Sequence, residues 1–536
     1  MNENTLFWRL FARRSTLAFL TAATIFLICI LRVAAIATAD FKEVAENQGR
    51  LKLTAGKIRG TVYDCNMIPL TNNQKKIIAA VSPTPRAVTA ISAVLTGDAL
   101  NDALERLKNG KPILCEVPEK IQCDGIVCST VYSTDYSNFL AKHIIGYTDT
   151  DNVGITGIEA AYNDILYSED EVSFIFECTG LGDVLEGINP IVYNNSTDAV
   201  NGVVTTLDIN IQEIAEKEAD SLEKGAVVIA EASTGKIRAM VSRPDFDITN
   251  ISGSLVAENS PLFNRAVNAY NVGSVFKPCV AAAGIEKGLG SFKYTCTGSC
   301  EIIDRYFKCH KYNGHGETDL RLGIAHSCNT FFYNFAFNIK GDLIYNTATS
   351  LKFGTELKIC DGISSSKGSL PSKNTLSNIA HLANFSIGQG ELLLSPVAML
   401  TLYCAIASDG RYYVPSVVEG TMVNGKLTEY NKGKQTHAIK SSTAQLLREY
   451  LSAVLSEGTG EDAVPQTVTA AGKTATAQTG KYENGIEICE GWFCGFFPLE
   501  KPKYVVIVFS EDIKKQSASC SKIFANIADK VTALGY

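Results

Sequence analysis

Residues 271–278 read Asn-Val-Gly-Ser-Val-Phe-Lys-Pro, and the Ala-rich run Cys279 to Lys287 follows before Gly288. Proline is tolerated in the first turn of a helix and glycine commonly ends one, so this pattern predicts a helix that begins near Ser274. The free N–H groups and the dipole at a helix N-terminus favour developing negative charge. Ser274 therefore stands where a nucleophilic hydroxyl could act.

Lys277 follows Ser274 by three residues, which places the two side chains on one face of a helix. A lysine at this spacing is a known base for a serine nucleophile. The chain has no Gly-x-Ser-x-Gly, Walker or His-Glu-x-x-His motif, which disfavours the common hydrolase, nucleotide and zinc-protease sites. The same spacing recurs where solvated surface is expected, at Ser221/Lys224, Ser233/Lys236, Ser364/Lys367 and Ser519/Lys522.

The segments on both sides of this helix predict an α+β fold. Consecutive strands joined by short turns indicate an antiparallel sheet, and helices at its two ends would cover its faces. Residues 40–200 show a mixture of strand-like runs, such as Lys57 to Tyr63, and helical stretches, such as Ala87 to Leu107. The predicted strands are Ala226 to Ala230, Lys236 to Ser242, Thr467 to Gln478, Gly491 to Phe497 and Tyr504 to Phe509, and the flanking helices are Ile211 to Lys224 and about Cys520 to Leu534.

The N-terminus predicts a single membrane anchor at residues 15–39. Seventeen residues without a charge, Ser15 to Leu31, follow three arginines. Positive charge before the first apolar span keeps that end in the cytosol, so residues 1–14 form a cytoplasmic tail and the rest lies outside. The alternative is a cleaved signal peptide, because Ala37-Thr38-Ala39 has the small-x-small form of a cleavage site.

Composition limits the remaining possibilities. The 536 residues are 46% hydrophobic and 20% charged, which fits mainly soluble domains, and a net charge of -7 argues against a nucleic-acid partner. With Cys29 in the predicted span, an odd fifteen of the sixteen cysteines remain outside, so they cannot all pair within one chain. The local cluster Cys296, Cys300, Cys309 and His310 could be a disulfide, a zinc site or buried small apolar residues.

Three motifs occur in one order along the chain: Ser274-Val275-Phe276-Lys277, Ser327-Cys328-Asn329 and Lys473-Thr474-Ala475. This set resembles the motif triplet of penicillin-binding proteins and serine β-lactamases. The wider sequence resembles class B penicillin-binding proteins, the monofunctional peptidoglycan D,D-transpeptidases. The similar segments include Arg59 to Asp64, Gly154 to Glu159, Gly388-Gln389-Gly390 and Trp492 to Phe496, while His315-Gly316 with Cys296 and Cys309 is similar to a cysteine-bearing Gram-positive branch.

The resemblance implies a mixed pedestal (dimerisation-like) domain at residues 40–200 and a penicillin-binding transpeptidase domain at 201–536. It also implies a bacterial cell-membrane protein that cross-links stem peptides ending in D-Ala-D-Ala and is a target of β-lactams. Hydrolytic release of D-Ala would be a side activity. The implied partner is a polytopic membrane glycosyltransferase, and no cofactor or metal is implied for the reaction.

The resemblance also assigns roles to the motif residues. Ser274 would attack the penultimate carbonyl, a neutral Lys277 would take its proton, and Ser327 would relay a proton to the leaving amine. Asn329 would hydrogen-bond Lys277 and the substrate amide, and Lys473 would supply a neighbouring positive charge.

A second group would bind the substrate. Thr474 and Thr476 would hold the terminal carboxylate, and the backbone N–H groups of Ser274 and Thr476 would form the oxyanion hole. Ala475 stands where the family has glycine, and we expect its methyl group to narrow the strand surface that substrate approaches.

Two other functions of this fold remain as alternatives. A β-lactamase would need a deacylating base, and no Glu-x-x-Leu-Asn element of the class A type occurs in the chain. A catalytically silent β-lactam sensor or cell-wall scaffold would tolerate loss of the catalytic serine or lysines, but Ser274 and Lys473 are both present.

Overall fold

The computed structural model describes residues 3–38, 49–194, 201–430, 433–513 and 518–535. The chain forms two compact units, one of residues 1–56, 76–131 and 171–195 and the other of residues 57–75, 132–170 and 196–536. The predicted functional boundary at residue 200 stays a prediction.

The first unit begins with a long apolar helix, Glu3–Thr38. Its segment Asn4–Ala37 has a window of mean hydropathy 2.4 and is long and apolar enough to cross a membrane. The helix starts earlier than the predicted anchor, because the arginine-bearing segment before Ser15 is helical as well. Among the residues that the structure describes, it is the one helix of this length and apolarity, in agreement with the predicted single span.

The rest of the first unit contains small sheets and two short helices. One continuous helical stretch was predicted from Ala87 to Leu107, but two helices form, Pro85–Ser92 and Gly97–Lys108. Gly97 lies in the left-handed region at a φ of 62°, which interrupts a continuous helix. One sheet has the order β4-β3-β5 and another β1-β6-β7. Their strands are β1 (Arg50–Arg59), β3 (Gln74–Val81), β4 (Ile113–Val117), β5 (Ile126–Ser133), β6 (Tyr167–Glu177) and β7 (Ile191–Asn194), with β2 (Thr61–Tyr63) in the other unit's part of the chain.

The second unit is organised around a five-stranded antiparallel sheet of order β10-β9-β25-β24-β23. The predicted hairpin and the three predicted C-terminal strands are all in it, so the expected antiparallel α+β fold is confirmed. The strands are β9 (Gly225–Glu231), β10 (Ile237–Arg243), β23 (Ala471–Glu483), β24 (Ile486–Phe497) and β25 (Tyr504–Ile513).

Helices cover both faces of this sheet. Phe493 and Phe497 have the same parity on β24, and both rings contact Phe524 of the C-terminal helix Ala518–Ala533. Trp492 has the opposite parity and packs on Phe509 of β25. The fully buried helix Pro396–Ala407 packs on β9, β24 and β25 as well. The predicted helix from Ile211 forms as Ile209–Ala219, with the Asp208 carboxylate accepting hydrogen bonds at its N-terminus.

Smaller elements complete the second unit. Its other helices are Lys142–Ile145, Gly157–Ala161, Asn163–Leu166, Ile251–Val256, Lys277–Glu286, Leu320–Ala325, Asn329–Ile339, Gly341–Ser350, Ile379–Ser386 and Ser441–Glu457, with 3₁₀ turns at Ile248–Asn250, Gly273–Phe276, Thr375–Ser377 and Glu461–Ala463. Its other strands are β8 (Gly202–Thr205), β11 (Tyr270–Asn271), β12 (Lys293–Cys296), β13 (Ser299–Ile302), β14 (Arg305–Lys308), β15 (Gly316–Asp319), β16 (Lys358–Cys360), β17 (Ile363–Ser364), β18 (Leu393–Leu394), β19 (Arg411–Tyr412), β20 (Val418–Val423), β21 (Lys426–Glu429) and β22 (Thr436–His437).

A buried ion pair joins two segments that carried the upstream resemblance. Arg59 Nη2 lies 2.6 Å from Glu159 Oε2, and each side chain is only 6% exposed. Arg59 also donates to the backbone carbonyl oxygens of Asn152 and Glu159, at 2.7 and 3.0 Å. Burial raises the pKa of Glu159, and the Arg59 charge opposes that change. Glu159 therefore has a structural partner far along the chain.

Candidate active site

Ser274 lies in a 3₁₀ turn, Gly273–Phe276, directly before the helix Lys277–Glu286. The predicted helix start is confirmed to within one turn. Gly273 has a φ of 58° and donates its N–H to the carbonyl oxygen of Gly388 at 2.9 Å. A side chain at Gly388 would bring a Cβ to 2.0 Å from the Gly273 oxygen, so this close approach requires glycine. The backbone before the serine is thereby fixed.

Lys277 joins the first motif to the second. Its ammonium nitrogen is fully buried and lies 2.7 Å from the Ser327 carbonyl oxygen and 2.7 Å from Asn329 Oδ1. It also lies 3.0 Å from Ser327 Oγ, which donates to Ser274 Oγ at 2.9 Å. The Lys277 backbone N–H donates to the Ser274 carbonyl oxygen, but within the part of the chain that the structure describes no hydrogen bond joins the Ser274 hydroxyl to the Lys277 amine directly. The lysine reaches the serine through Ser327.

Ser327 has a backbone conformation that is rare for residues other than glycine. Its φ is 54°, in the left-handed region. This conformation costs a non-glycine residue about 1–2 kcal/mol. The tight turn follows the helix Leu320–Ala325, where the Ser327 N–H donates to the Ile324 carbonyl oxygen at 3.1 Å. It directs the hydroxyl of Ser327 between Ser274 and Lys277.

Lys473 is the second fully buried lysine of the site. Its Nζ donates to the carbonyl oxygen of Thr474 at 3.1 Å and to Thr459 Oγ1 at 3.4 Å. Burial lowers the pKa of Lys277 to about 7, because the ammonium loses its hydration. Burial and then the charge of Lys277 lower the pKa of Lys473 well below its usual value. The site thus contains two lysines that compete for protons.

The side chains of β23 alternate between the interior and the rim of the site. Lys473 and Ala475 are buried, whereas Thr474 is half-buried and Thr476 is exposed. A Cβ placed on Gly273 would lie 3.5 Å from the Ala475 methyl carbon. The methyl group therefore faces the turn that carries the serine, and the expectation that it narrows the substrate-facing surface was wrong. Ala475 lies two residues after Lys473 on β23, so the two side chains face the same side of the sheet.

Gln389 fastens the outer part of β23, although its role was left open by the sequence. Its carboxamide pairs with the backbone of Gln478, accepting from the N–H at 3.1 Å and donating to the carbonyl oxygen at 3.3 Å. Thr459 is a further residue that no sequence motif indicated. Its hydroxyl lies 2.7 Å from Thr474 Oγ1.

A group of three cysteines and one histidine lies beside the second motif. The ligand atoms of Cys296, Cys309, His315 and Cys328 all lie within 4.8 Å of one another. Cys300 and His310, two members of the predicted cluster, are outside this group. Cys328 stands between Ser327 and Asn329 in the sequence. All sixteen cysteines are free thiols in the structure, so the disulfide alternative is not supported.

Three distances between ligand atoms of this group match those of a tetrahedral zinc site. His315 Nδ1 lies 3.6 Å from each of the Cys296 and Cys309 sulfur atoms, and the sulfur atoms of Cys309 and Cys328 are 3.9 Å apart. Zinc bonds of about 2.3 Å to sulfur and about 2.05 Å to nitrogen give separations of about 3.8 Å between sulfurs and about 3.6 Å between sulfur and nitrogen.

The protonation of the group also suits a metal. The hydrogen bond between the two thiols lowers the pKa of Cys309 and raises the pKa of Cys328, so one thiolate of the pair is favoured before a metal binds. Burial lowers the pKa of His315, which keeps the imidazole neutral. The donor set therefore fits a zinc ion.

Comparison with known proteins identifies the domain that contains the motifs. The model of the family described as "Penicillin binding protein transpeptidase domain" matches residues 225–532, more than half of the chain. Stage V sporulation protein D of Bacillus subtilis is 27% identical over 402 residues, covering 71% of this chain and 59% of that protein. Peptidoglycan D,D-transpeptidase MrdA of Acinetobacter baumannii is 27% identical over 399 residues, covering 68% and 58%. The chain thus spans about three fifths of the length of these relatives.

Solved structures share the fold. The D,D-transpeptidase domain of a peptidoglycan glycosyltransferase from Eggerthella lenta has a TM-score of 0.65 and 22% identity, covering 90% of this chain and 99% of that chain. Penicillin binding protein 3 from Mycobacterium tuberculosis, complexed with aztreonam, has a TM-score of 0.64 and 21% identity, covering 90% and 97%. At these identities the likeness shows the fold alone.

Proposed function

This chain belongs to the family of the penicillin binding protein transpeptidase domain, which it carries at residues 225–532, and on that premise we propose that it is a peptidoglycan D,D-transpeptidase of the serine type. The observation that carries the proposal is the chain of hydrogen bonds from Ser274 through Ser327 to Lys277, with oxygen–oxygen and oxygen–nitrogen distances of 2.9 and 3.0 Å. It connects a nucleophile to a buried amine.

In the first half-reaction, Ser274 Oγ attacks the carbonyl carbon of the penultimate D-alanine. Its proton passes to Ser327, whose own proton passes to the neutral amine of Lys277. When the tetrahedral intermediate collapses, a proton returns through Ser327 to the departing D-alanine amine. The peptide bond is broken and an ester to Ser274 is formed.

In the second half-reaction, an amine from a neighbouring peptide attacks the ester. Its proton follows the same path to Lys277, the ester bond breaks, and Ser274 recovers its hydroxyl proton from Ser327. The product is a cross-link between the two peptides. Water in place of the amine gives a D,D-carboxypeptidase side activity.

The burial of Lys277 supports its role as the base. A pKa of about 7 leaves much of the amine neutral near neutral pH, whereas an ordinary lysine would be almost fully charged. The neutral amine has two N–H groups, which can donate to the backbone carbonyl oxygen of Ser327 and to the side-chain Oδ1 of Asn329. When Lys277 is neutral, the Ser327 hydroxyl would turn its one proton from Ser274 Oγ to the lone pair of the amine and accept the proton of Ser274 in its place.

The rim of the site suits the substrate carboxylate and the oxyanion. Thr474 and Thr476, backed by Lys473, would bind the terminal carboxylate. The N–H groups of Ser274 and Thr476 would form the oxyanion hole. The half-buried and exposed positions of the two threonines on β23 support this assignment.

Location and partners follow from the first helix and from the relatives. We propose that residues 1–14 lie in the cytoplasm and that the transpeptidase domain lies outside the membrane, because Arg9, Arg13 and Arg14 precede the apolar span. Peptidoglycan stem peptides and β-lactams would be the ligands. A related structure is a complex of penicillin-binding protein PBP2 with MreC from Helicobacter pylori. For this chain we propose a polytopic membrane glycosyltransferase as the partner.

The test is a transfer assay with the purified full-length chain in detergent. The donor is a stem peptide ending in D-Ala-D-Ala, and the acceptor is a labelled amine. Wild type and Ser364→Ala, which alters a different Ser-x-x-Lys pair, should release D-alanine and form the cross-linked product. Ser274→Ala should do neither. Penicillin labelling without any transfer would favour the silent sensor, and transfer by Ser274→Ala would reject the nucleophile.

A second proposal concerns Cys296, Cys309, His315 and Cys328, which we propose bind one zinc ion. The agreement of three distances between the ligand atoms with tetrahedral zinc geometry carries it. The four ligands close the coordination shell, so the ion would be structural. Through Cys328 it would hold the segment that presents Ser327 and Asn329 to the site.

Zinc content measured by mass spectrometry of the metal tests this second proposal. Protein purified under reducing conditions with zinc should retain about one ion per chain in the wild type and in Cys300→Ser, the neighbouring cysteine outside the group. Cys296→Ser and Cys328→Ser should lose most of it. Equal zinc content in Cys300→Ser and Cys328→Ser would contradict the assignment.

A further inference from the structure

The hydroxyl of Thr459 connects the buried Lys473 to the rim of the site. Thr459 Oγ1 lies 3.4 Å from Lys473 Nζ and 2.7 Å from Thr474 Oγ1. Thr459 belongs to none of the three motifs. It follows the helix Ser441–Glu457, in a Gly-Thr-Gly segment.

The backbone around Thr459 is held against the segment that leads to the second motif. The Thr459 N–H donates to the carbonyl oxygen of Ala325 at 3.1 Å, and the Gly460 N–H donates to that of Val454 at 2.9 Å. A side chain at Gly458 would place its Cβ 2.2 Å from the Ala325 oxygen. The position of the Thr459 hydroxyl is therefore set by backbone contacts on both sides.

The protons available to Lys473, Thr459 and Thr474 give this series of hydrogen bonds a direction. Lys473 Nζ donates to Thr459 Oγ1, so the hydroxyl oxygen of Thr459 is the acceptor in that bond. The single proton of Thr459 is then directed to Thr474 Oγ1. Since Thr474 accepts that bond, its own proton is left to donate elsewhere. Thr474 is half-buried at the rim, where a carboxylate could receive it.

We propose that Thr459 is a positioning residue, which orients the Thr474 hydroxyl as a donor toward the terminal carboxylate of the donor peptide and so contributes to selection of that carboxylate. This inference rests on the proposed transpeptidase function. Thr459 acts through Thr474, so its loss should matter only for substrates that carry the carboxylate.

The experiment uses the full-length chain and two thioester donors. One is an N-acyl-D-alanyl thioglycolate, whose leaving group ends in a free carboxylate, and the other is its methyl ester. The second-order rate constant of acylation is measured by thiol release for wild type, Thr459→Val and Thr459→Ser. The matched control is Thr347→Val, because Thr347 is a half-buried helical threonine whose hydroxyl donates to the Leu343 carbonyl oxygen of its own helix.

We expect the donor with the free carboxylate to acylate the wild-type enzyme faster than the methyl ester does. Thr459→Val should lower the rate for the carboxylate donor by about tenfold, which corresponds to about 1.4 kcal/mol, with the ester rate nearly unchanged. Thr459→Ser retains the hydroxyl and should restore the preference. In a Thr474→Val background, Thr459→Val should have no further effect on the preference, because the two residues act in series.

Other outcomes overturn the proposal. An equal fall for both donors would mean a purely structural role, and an unchanged preference in Thr459→Val would exclude the hydrogen-bond chain. Loss of preference beyond that of Thr474→Val alone would mean that Thr459 acts by another route. If wild type is acylated by neither donor, the proposed transpeptidase function itself fails, and this inference fails with it.

Discussion

Acylation of Ser274 should depend on pH with the midpoint set by Lys277. The pKa of this buried lysine is lowered to about 7, so the amine is about one tenth neutral at pH 6 and about nine tenths neutral at pH 8. Acylation needs the neutral amine, so its rate should be lost as the pH falls through 7. We expect the rate at pH 8 to exceed that at pH 6 by about tenfold.

The assay is stopped-flow acylation with a fluorescent penicillin between pH 5.5 and 8.5, with thermal unfolding recorded at each pH to confirm that the domain stays folded. Glu490 needs a control, because burial raises the pKa of its carboxyl to about 8 and it lies on the neighbouring strand β24. Glu490→Gln removes this second titration without a change of shape. The midpoint near pH 7 should survive in that variant.

Two results would refute this account of the base. A rate that is flat between pH 6 and pH 8 would show that the protonation of Lys277 does not control acylation. Loss of the midpoint in Glu490→Gln would assign the titration to the carboxyl group instead.

Three further substitutions test the surrounding structure. Glu159→Gln should lower the free energy of unfolding, measured by chemical denaturation, by about 3 kcal/mol, because it leaves the buried Arg59 without its counter-ion. Asp124→Asn, which removes an exposed pair, should change the free energy of unfolding by less than about 1 kcal/mol. Equal effects of the two substitutions would contradict the stabilising role of the buried pair. Gly388→Ala should slow acylation by about a hundredfold, because its Cβ would displace the turn that holds the serine, and a wild-type rate would refute that contact. Ala475→Gly should change penicillin acylation by less than about twofold while costing about 0.5–1 kcal/mol of stability; a tenfold change in acylation would mean that the methyl group faces the ligand after all.

Two features could be predicted from the sequence: the antiparallel sheet, and the meeting of the first two motifs at one site. The hairpin and the C-terminal strands follow from alternation of apolar and polar residues, which is a local signal. The convergence of Ser274, Lys277, Ser327 and Asn329 could be predicted from motif order, although those residues are up to 55 positions apart. Motif order could not give the path of the proton, because the placement of Ser327 between the serine and the lysine depends on a left-handed backbone turn.

Other features of the site depend on tertiary packing that leaves no pattern in the sequence. Cys300 and Cys309 are near in sequence, but the β13–β14 hairpin pairs Cys300 with Phe307 and leaves it outside the metal-binding group. His315 and Cys328, rather than Cys300 and His310, complete the group. The strand β15 and the turn at Ser327 bring these two residues close to Cys296 and Cys309. The orientation of Ala475 and the contact of Thr459 with Lys473 likewise required the structure.

The most direct test of the central claim is peptide mapping by mass spectrometry after incubation of the full-length chain with penicillin. The account predicts a single covalent adduct, one penicillin mass in size, on Oγ of Ser274, at an occupancy that approaches one per chain. An adduct on any other serine, or an intact chain that gains no mass at saturating penicillin, would contradict the claim that Ser274, Ser327 and Lys277 form an acylating site.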